Sequence, residues 1–152
     1  MEGEQSPSIS PYKFALNSSA IKMALKITLK PDERMIIGGA VVTNKNSFGC
    51  NLLVENNVPI LRQKDILSED QADSPCRKIY FVIQLMYIDD ENLQTYHNTY
   101  WDLIRDVVQA SPRMTGLIDA ISEHILSQRY YQALKDAKKL ITYEQEVISC
   151  VQ

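Results

Sequence analysis

The chain has 152 residues, 45% hydrophobic and 23% charged, with a formal net charge of −3. That length suits one compact domain or two small subdomains sharing a core and excludes two large domains, while the composition excludes a mainly disordered chain. The slight acidic excess argues against indiscriminate polyanion binding, no apolar run approaches the ~18 residues of a membrane span, and Cys50, Cys76 and Cys150 are too few and too far apart for a disulfide framework or a zinc site.

Residues 1–22, rich in Ser, Pro, Gly and Glu, show no sustained period and lack the charged-then-apolar order of a secretory signal. They read as a disordered or weakly ordered N-terminal extension, and a cytoplasmic location follows by default. From Ala24 the pattern has period two: Leu25, Ile27 and Leu29 fall on one face of a strand, Lys26, Thr28 and Lys30 on the other. Pro31-Asp32 breaks it. Arg34 to Ile37 and Ala40 to Thr43 read as two further strands joined at Gly38-Gly39, a pair able to take positive φ in a tight hairpin. Asn44 to Gly49 form a turn, and Cys50 to Glu55 and Val58 to Arg62 read as the fourth and fifth strands, with Pro59 confined to an edge. These segments make a small β subdomain over residues 23–67, too thin to be stable without a second layer or a partner chain.

After Ile66 the period changes. Ser74-Pro75 is an N-cap and first-turn pair. The following "CRKIYFVIQLMYI" is apolar around most of its circumference, which predicts a buried helix. Asp89-Asp90-Glu91 interrupt it and suit the start of a second helix, which carries Leu93, Tyr96, Tyr100, Leu103, Ile104 and Val107 to about Ser111-Pro112. A third helix bears Leu117, Ile118, Ile121 and Ile125, and a fourth runs from Tyr130 to about Ile148. Residues 68–152 thus form a helical subdomain. The fold class is α+β: a small N-terminal antiparallel sheet or barrel of about five short strands, then a bundle of about four helices.

Catalytic constellations are missing from the pattern. "IGGAV" has neither the Lys-Ser/Thr of a phosphate loop nor G-x-G-x-x-G, and no helix follows it. His97 and His124 fall on different helices without ligand-spaced partners, and no nucleophile elbow occurs. The expectation is a protein without enzyme activity, metal or cofactor.

Charge is distributed unevenly: residues 24–67 carry six basic and four acidic side chains, residues 68–152 eight and thirteen. In the β segment, Lys26, Thr28 and Lys30 share the polar face of the first strand, and Arg62, Gln63 and Lys64 follow the fifth. If the first and fifth strands approach one another, within a chain or across a homodimer, these groups form a basic strip suited to the phosphates and base edges of an RNA loop. The aromatics of the helical part, from Tyr80 to Tyr143, recur on apolar stripes as core packing does, or supply a stacking surface for unpaired bases.

The blocks "LKITLKPDERMIIGGAVV", "VPILRQKDIL", "SPCRKIYFVIQLMYI" and "YYQALKDAKKLITYEQEVI" resemble, in order and from about Ala24 to Ile148, the FlbT family of flagellin-synthesis regulators. Gly38 stands where an Asn-Gly turn is often expected in that family, and both residues tolerate positive φ. The resemblance implies a cytoplasmic, post-transcriptional regulator that associates with the 5′ untranslated region of flagellin mRNA, repressing translation and hastening decay in some relatives and favouring synthesis in others. It also implies a small flagellar regulator, FlaF, as functional counterpart.

Residues 25–66 are similar, more weakly, to the carbon storage regulator family CsrA, an intertwined β dimer whose first and fifth strands clasp RNA loops. That likeness implies Lys26, Thr28 and Lys30 on the first strand and Arg62 at the end of the fifth as RNA contacts; one residue more than the pattern wants separates Arg62 from Asp65-Ile66. The RNA-binding residues expected are therefore Lys26, Thr28, Lys30, Arg62 and Lys64. The competing expectation is a protein-interaction adaptor, binding flagellin or an assembly chaperone through the helical surface, with indirect effects on mRNA.

Overall fold

The protein's structure, a computed structural model, describes residues 24–151; the N-terminal extension expected over residues 1–22 lies outside them. Strands β1 (Leu25–Leu29), β2 (Arg34–Ile37), β3 (Ala40–Thr43), β4 (Cys50–Val54) and β5 (Ile60–Arg62) precede helices α1 (Pro75–Ile88), α2 (Leu93–Ala110), α3 (Thr115–Leu126) and α4 (Tyr130–Val151). The architecture is α+β, as the change of period indicates. Among the described residues the strands make two antiparallel sheets, β1–β4 and β3–β2–β5, and no closed barrel. Two compact units result: one built from the described residues up to Glu33 together with Asn44–Val58, the other from Arg34–Thr43 and the chain from Pro59 onward.

In the first unit, β1 and β4 pair from Leu25 opposite Val54 to Leu29 opposite Cys50. Ile27 and Leu29 are buried while Lys26, Thr28 and Lys30 face solvent, as alternation requires. The chain leaves β1 through a tight turn closed by the Glu33 amide donating to the Lys30 carbonyl at 3.1 Å, with Asp32 at φ 57°. Aspartate is among the few residues that accept this left-handed conformation. The loop back to β4 is organised by one buried amide: Asn44 Nδ2 donates to the Leu29 and Phe48 carbonyls, both at 2.9 Å, and its Oδ1 accepts from the Asn46 amide. The loop residues 45–49 are exposed, so the buried Asn44 side chain is what ties their backbone to β1.

In the second unit, β2 and β3 form a hairpin around Gly38 (φ 56°) and Gly39 (φ 87°), the two positive φ angles of the primed turn that matches strand twist. β5 pairs with the other side of β2. Its remaining edge is closed by α1: the Tyr87 hydroxyl accepts from the Ile60 amide (3.0 Å) and donates to the Ile60 carbonyl (3.2 Å), as a neighbouring strand would. Gln84, buried on α1, makes a similar pair of hydrogen bonds to the Leu67 amide and carbonyl, each at 2.8 Å. Ile36 and Leu61 join the helical core, which is centred on Ile79, Ile83, Tyr100, Ile121, Ile125 and Leu140.

The helix ends show which sequence signals operate. Ser74 caps α1, its hydroxyl accepting from the Arg77 amide, and Glu144 of α4 adds a carboxylate there, accepting from the Ser74 hydroxyl (2.5 Å) and the Cys76 amide (3.2 Å). Asp89 does not sit in the first turn of α2. It ends α1, and its carboxylate accepts from the Glu91 amide, the Asn92 side chain and the Tyr96 hydroxyl, pinning the connection between the two helices. Those hydrogen bonds, Tyr96 first, hold its pKa below the usual carboxylate value.

Candidate nucleic-acid interface

The outward face of β1 is polar because its inward face is spent on burial. Register places Leu53 beside Lys26 and Asn51 beside Thr28, and the Thr28 hydroxyl bonds Asn51 Oδ1 at 2.9 Å. With the Thr28 proton spent on Asn51, this face keeps Lys26, the Asn51 amide nitrogen and an exposed Leu53, and the exposed Lys30 follows the end of β1; the two cations and the amide are the donors that phosphates and exposed base edges accept. Lys26 and Thr28 thus share one face of the β1–β4 sheet, and the exposed Lys30 follows directly after the strand.

Arg62 and Lys64 belong to the other unit. Arg62 ends β5 opposite Met35, half-buried. Lys64 is exposed in the 3₁₀ turn Gln63–Asp65, where the Gln63 side chain accepts from the Arg34 amide. β5 pairs with β2, and β1 with β4, so the first and fifth strands are not hydrogen-bonded neighbours within the chain.

Lys64 instead shares its surroundings with α1 and α4. It lines two adjoining clefts of about 270 and 160 Å³ that also take in Asp65, Tyr80 and Lys138, the larger bounded by Arg77 and the smaller by Tyr131 and Lys135. Sequence reasoning missed the α4 contribution. The signal was available: Tyr131, Lys135, Lys138 and Thr142 recur at spacings of four, three and four, one stripe of a helix.

The buried ionisable groups are tuned away from reactivity. Burial pushes the Cys76 thiol up to about 12, with Glu144 adding to the effect, so it stays protonated at neutral pH. Burial likewise raises Tyr100 to about 12 and Tyr80 higher still. Among the described residues no group of three or more His, Cys, Asp and Glu side chains is placed to hold a metal ion, and no helix is long and apolar enough to cross a membrane.

Residues 25–148 match the family described as Flagellar protein FlbT. The chain belongs to the FlbT family. It is 47% identical over 125 residues to the probable flagellum biosynthesis repressor protein FlbT 1 of Bradyrhizobium diazoefficiens, covering 82% of this chain and 85% of that one. It is 38% identical over 127 residues to the probable flagellum biosynthesis repressor FlbT of Rhodopseudomonas palustris, covering 84% and 99%. Over 126 residues it is 36% identical to the flagellum biosynthesis repressor FlbT of Caulobacter vibrioides, covering 82% and 89%. No solved structure matches the chain. The relatives' names agree with the resemblance read from the four sequence blocks and support a regulatory role in flagellar synthesis.

Proposed function

We propose that this FlbT-family protein is a cytoplasmic regulator that binds the 5′ untranslated region of flagellin mRNA and alters its translation and stability. It acts by occupancy, masking or exposing the ribosome site and changing nuclease access, and not as an enzyme. The observation that carries the reading is the exposed face of β1, where Lys26 and Thr28 alternate outward with Asn51 alongside and the exposed Lys30 follows the strand. Arg62 and Lys64 supply further contacts, and a FlaF-like flagellar regulator is the functional counterpart. The relatives' designation as flagellum biosynthesis repressors supports control of flagellar synthesis.

Fluorescence anisotropy with a labelled flagellin leader transcript tests it. The parent protein binds, affinity falls steeply as salt rises, and Lys26→Gln with Lys30→Gln weakens binding and flattens the salt dependence. Arg62→Ala costs about 1–3 kcal/mol if the guanidinium reads a base edge. A parent protein that leaves the transcript's anisotropy unchanged at low salt would overturn the reading.

A second reading rests on exposed apolar side chains of the helices: Leu126 is 70% and Ile148 53% exposed. An adaptor that docks flagellin or an assembly chaperone would use such groups, its effect on RNA being indirect. Crosslinking in cells discriminates, since direct RNA binding enriches the flagellin message without protein intermediaries.

A further inference from the structure

The clefts between the 3₁₀ turn and helices α1 and α4 are lined by four cations, Lys64, Arg77, Lys135 and Lys138, against one carboxylate, Asp65. The chain as a whole is acidic, so this concentration of positive charge runs against its average.

The cations are not equivalent. Lys138 is ion-paired with Asp65, and Arg77 with Asp73 at 2.7 Å. Lys64 and Lys135 form no ion pair among the described residues; Lys135 lies over the Tyr131 ring, its Nζ 4.8 Å from the centroid. Tyr131 in turn packs on Tyr87 with centroids 5.7 Å apart, and is itself 39% exposed. Tyr80, which lines both clefts, donates its hydroxyl to the Asp65 carbonyl at 2.5 Å, and Tyr87 behind Tyr131 is hydrogen-bonded to Ile60. Lys64 and Lys135, neither in an ion pair among the described residues, thus line the smaller cleft together with Tyr80 and Tyr131.

We propose that this cleft is a second RNA-contacting surface, taking backbone phosphates of single-stranded RNA on Lys64 and Lys135 beside the half-exposed Tyr131. The inference rests on the RNA reading above and extends it to the helical unit. Cations interleaved with a tyrosine face favour RNA over an acidic peptide, because single-stranded nucleic acid offers both phosphates and π surfaces, whereas an acidic peptide uses only the charges. Asp65 and Asp73 offset the charges of Lys138 and Arg77, so the net positive charge of the clefts comes from Lys64 and Lys135.

The test is the salt dependence of binding to the labelled flagellin leader, with full-length protein. Removing one cation that neutralises a phosphate of a single strand lowers the slope of log K against log salt by about 0.7. The double variant Lys64→Gln/Lys135→Gln is expected to lower it by about 1.4 and to bind at least tenfold more weakly at low salt, with an unchanged circular-dichroism melt. A control with the same charge change outside the clefts, Lys78→Gln/Lys139→Gln, keeps the parent slope. If the parent binds and the cleft variant keeps the parent slope, the cleft inference fails while RNA binding stands. An equal drop in the control also overturns it, because the effect is then one of net charge. Displacement of the RNA by polyglutamate from the parent but not from the cleft variant, with the RNA slope unaltered, would assign the cleft to an acidic protein instead. A parent that binds no leader sinks both readings.

Discussion

In the β1–β4 unit the return loop is held by Asn44, a side chain within the loop itself, whereas in the β3–β2–β5 unit β5 and the turn after it are held by side chains sent from α1. Tyr87 closes the edge at Ile60, Tyr80 reaches the Asp65 carbonyl and Gln84 pairs with Leu67. The difference shows two ways of satisfying exposed backbone groups, one local and one tertiary. It also separates the two candidate contact surfaces. The face of β1 depends on strand alternation; the cleft beside Lys64 exists only because α1 and α4 meet the 3₁₀ turn.

The largest test of that contrast is Ile83→Ala in the helical core, where the side chain is fully buried. It should cost about 2–5 kcal/mol in urea unfolding, through forfeited transfer energy and the cavity left behind. Asn44→Ala comes next, at about 1–3 kcal/mol, because the Leu29 and Phe48 carbonyls are left without their donor. Hydrogen exchange should rise mainly between Asn44 and Cys50, and a uniform rise across the helices would break the distinction between local and tertiary support. Tyr87→Phe removes one hydroxyl from two backbone groups, costs about 1–2 kcal/mol and loosens β5. Ser74→Ala is smaller, about 1 kcal/mol, since the Glu144 carboxylate still meets the Cys76 amide at the start of α1.

The last expected effect is alkaline. Tyr100 ionises near 12 in the folded protein, and burial raises Tyr80 as well, while a tyrosine in the unfolded chain ionises near its ordinary value of 10.0. Between those values the unfolded state has released protons the folded state retains, so stability falls as pH rises above about 10. Ultraviolet titration of phenolate should show a late-ionising class in the native protein that merges with the rest in urea; a single native transition near 10 would contradict the burial.

The amino-acid sequence determined the elements. Period two placed Ile27 and Leu29 inward and Lys26, Thr28 and Lys30 outward, Gly38-Gly39 marked the hairpin, and Ser74-Pro75 marked the start of α1, because each signal acts within a few residues of itself. The aromatic stripe was ambiguous for the same reason: Tyr100 proved to be core, while Tyr131 reached the surface, and helical spacing alone does not say which side another element will cover. Tertiary structure decided the rest. That β1 takes β4 while β5 takes β2, that Glu144 reaches α1 across roughly seventy residues of chain, and that Lys64 stands among Lys135, Lys138 and Tyr80 all depend on which distant segments pack together. Local pattern specifies how a segment can bury its apolar face, but not which partner it buries that face against.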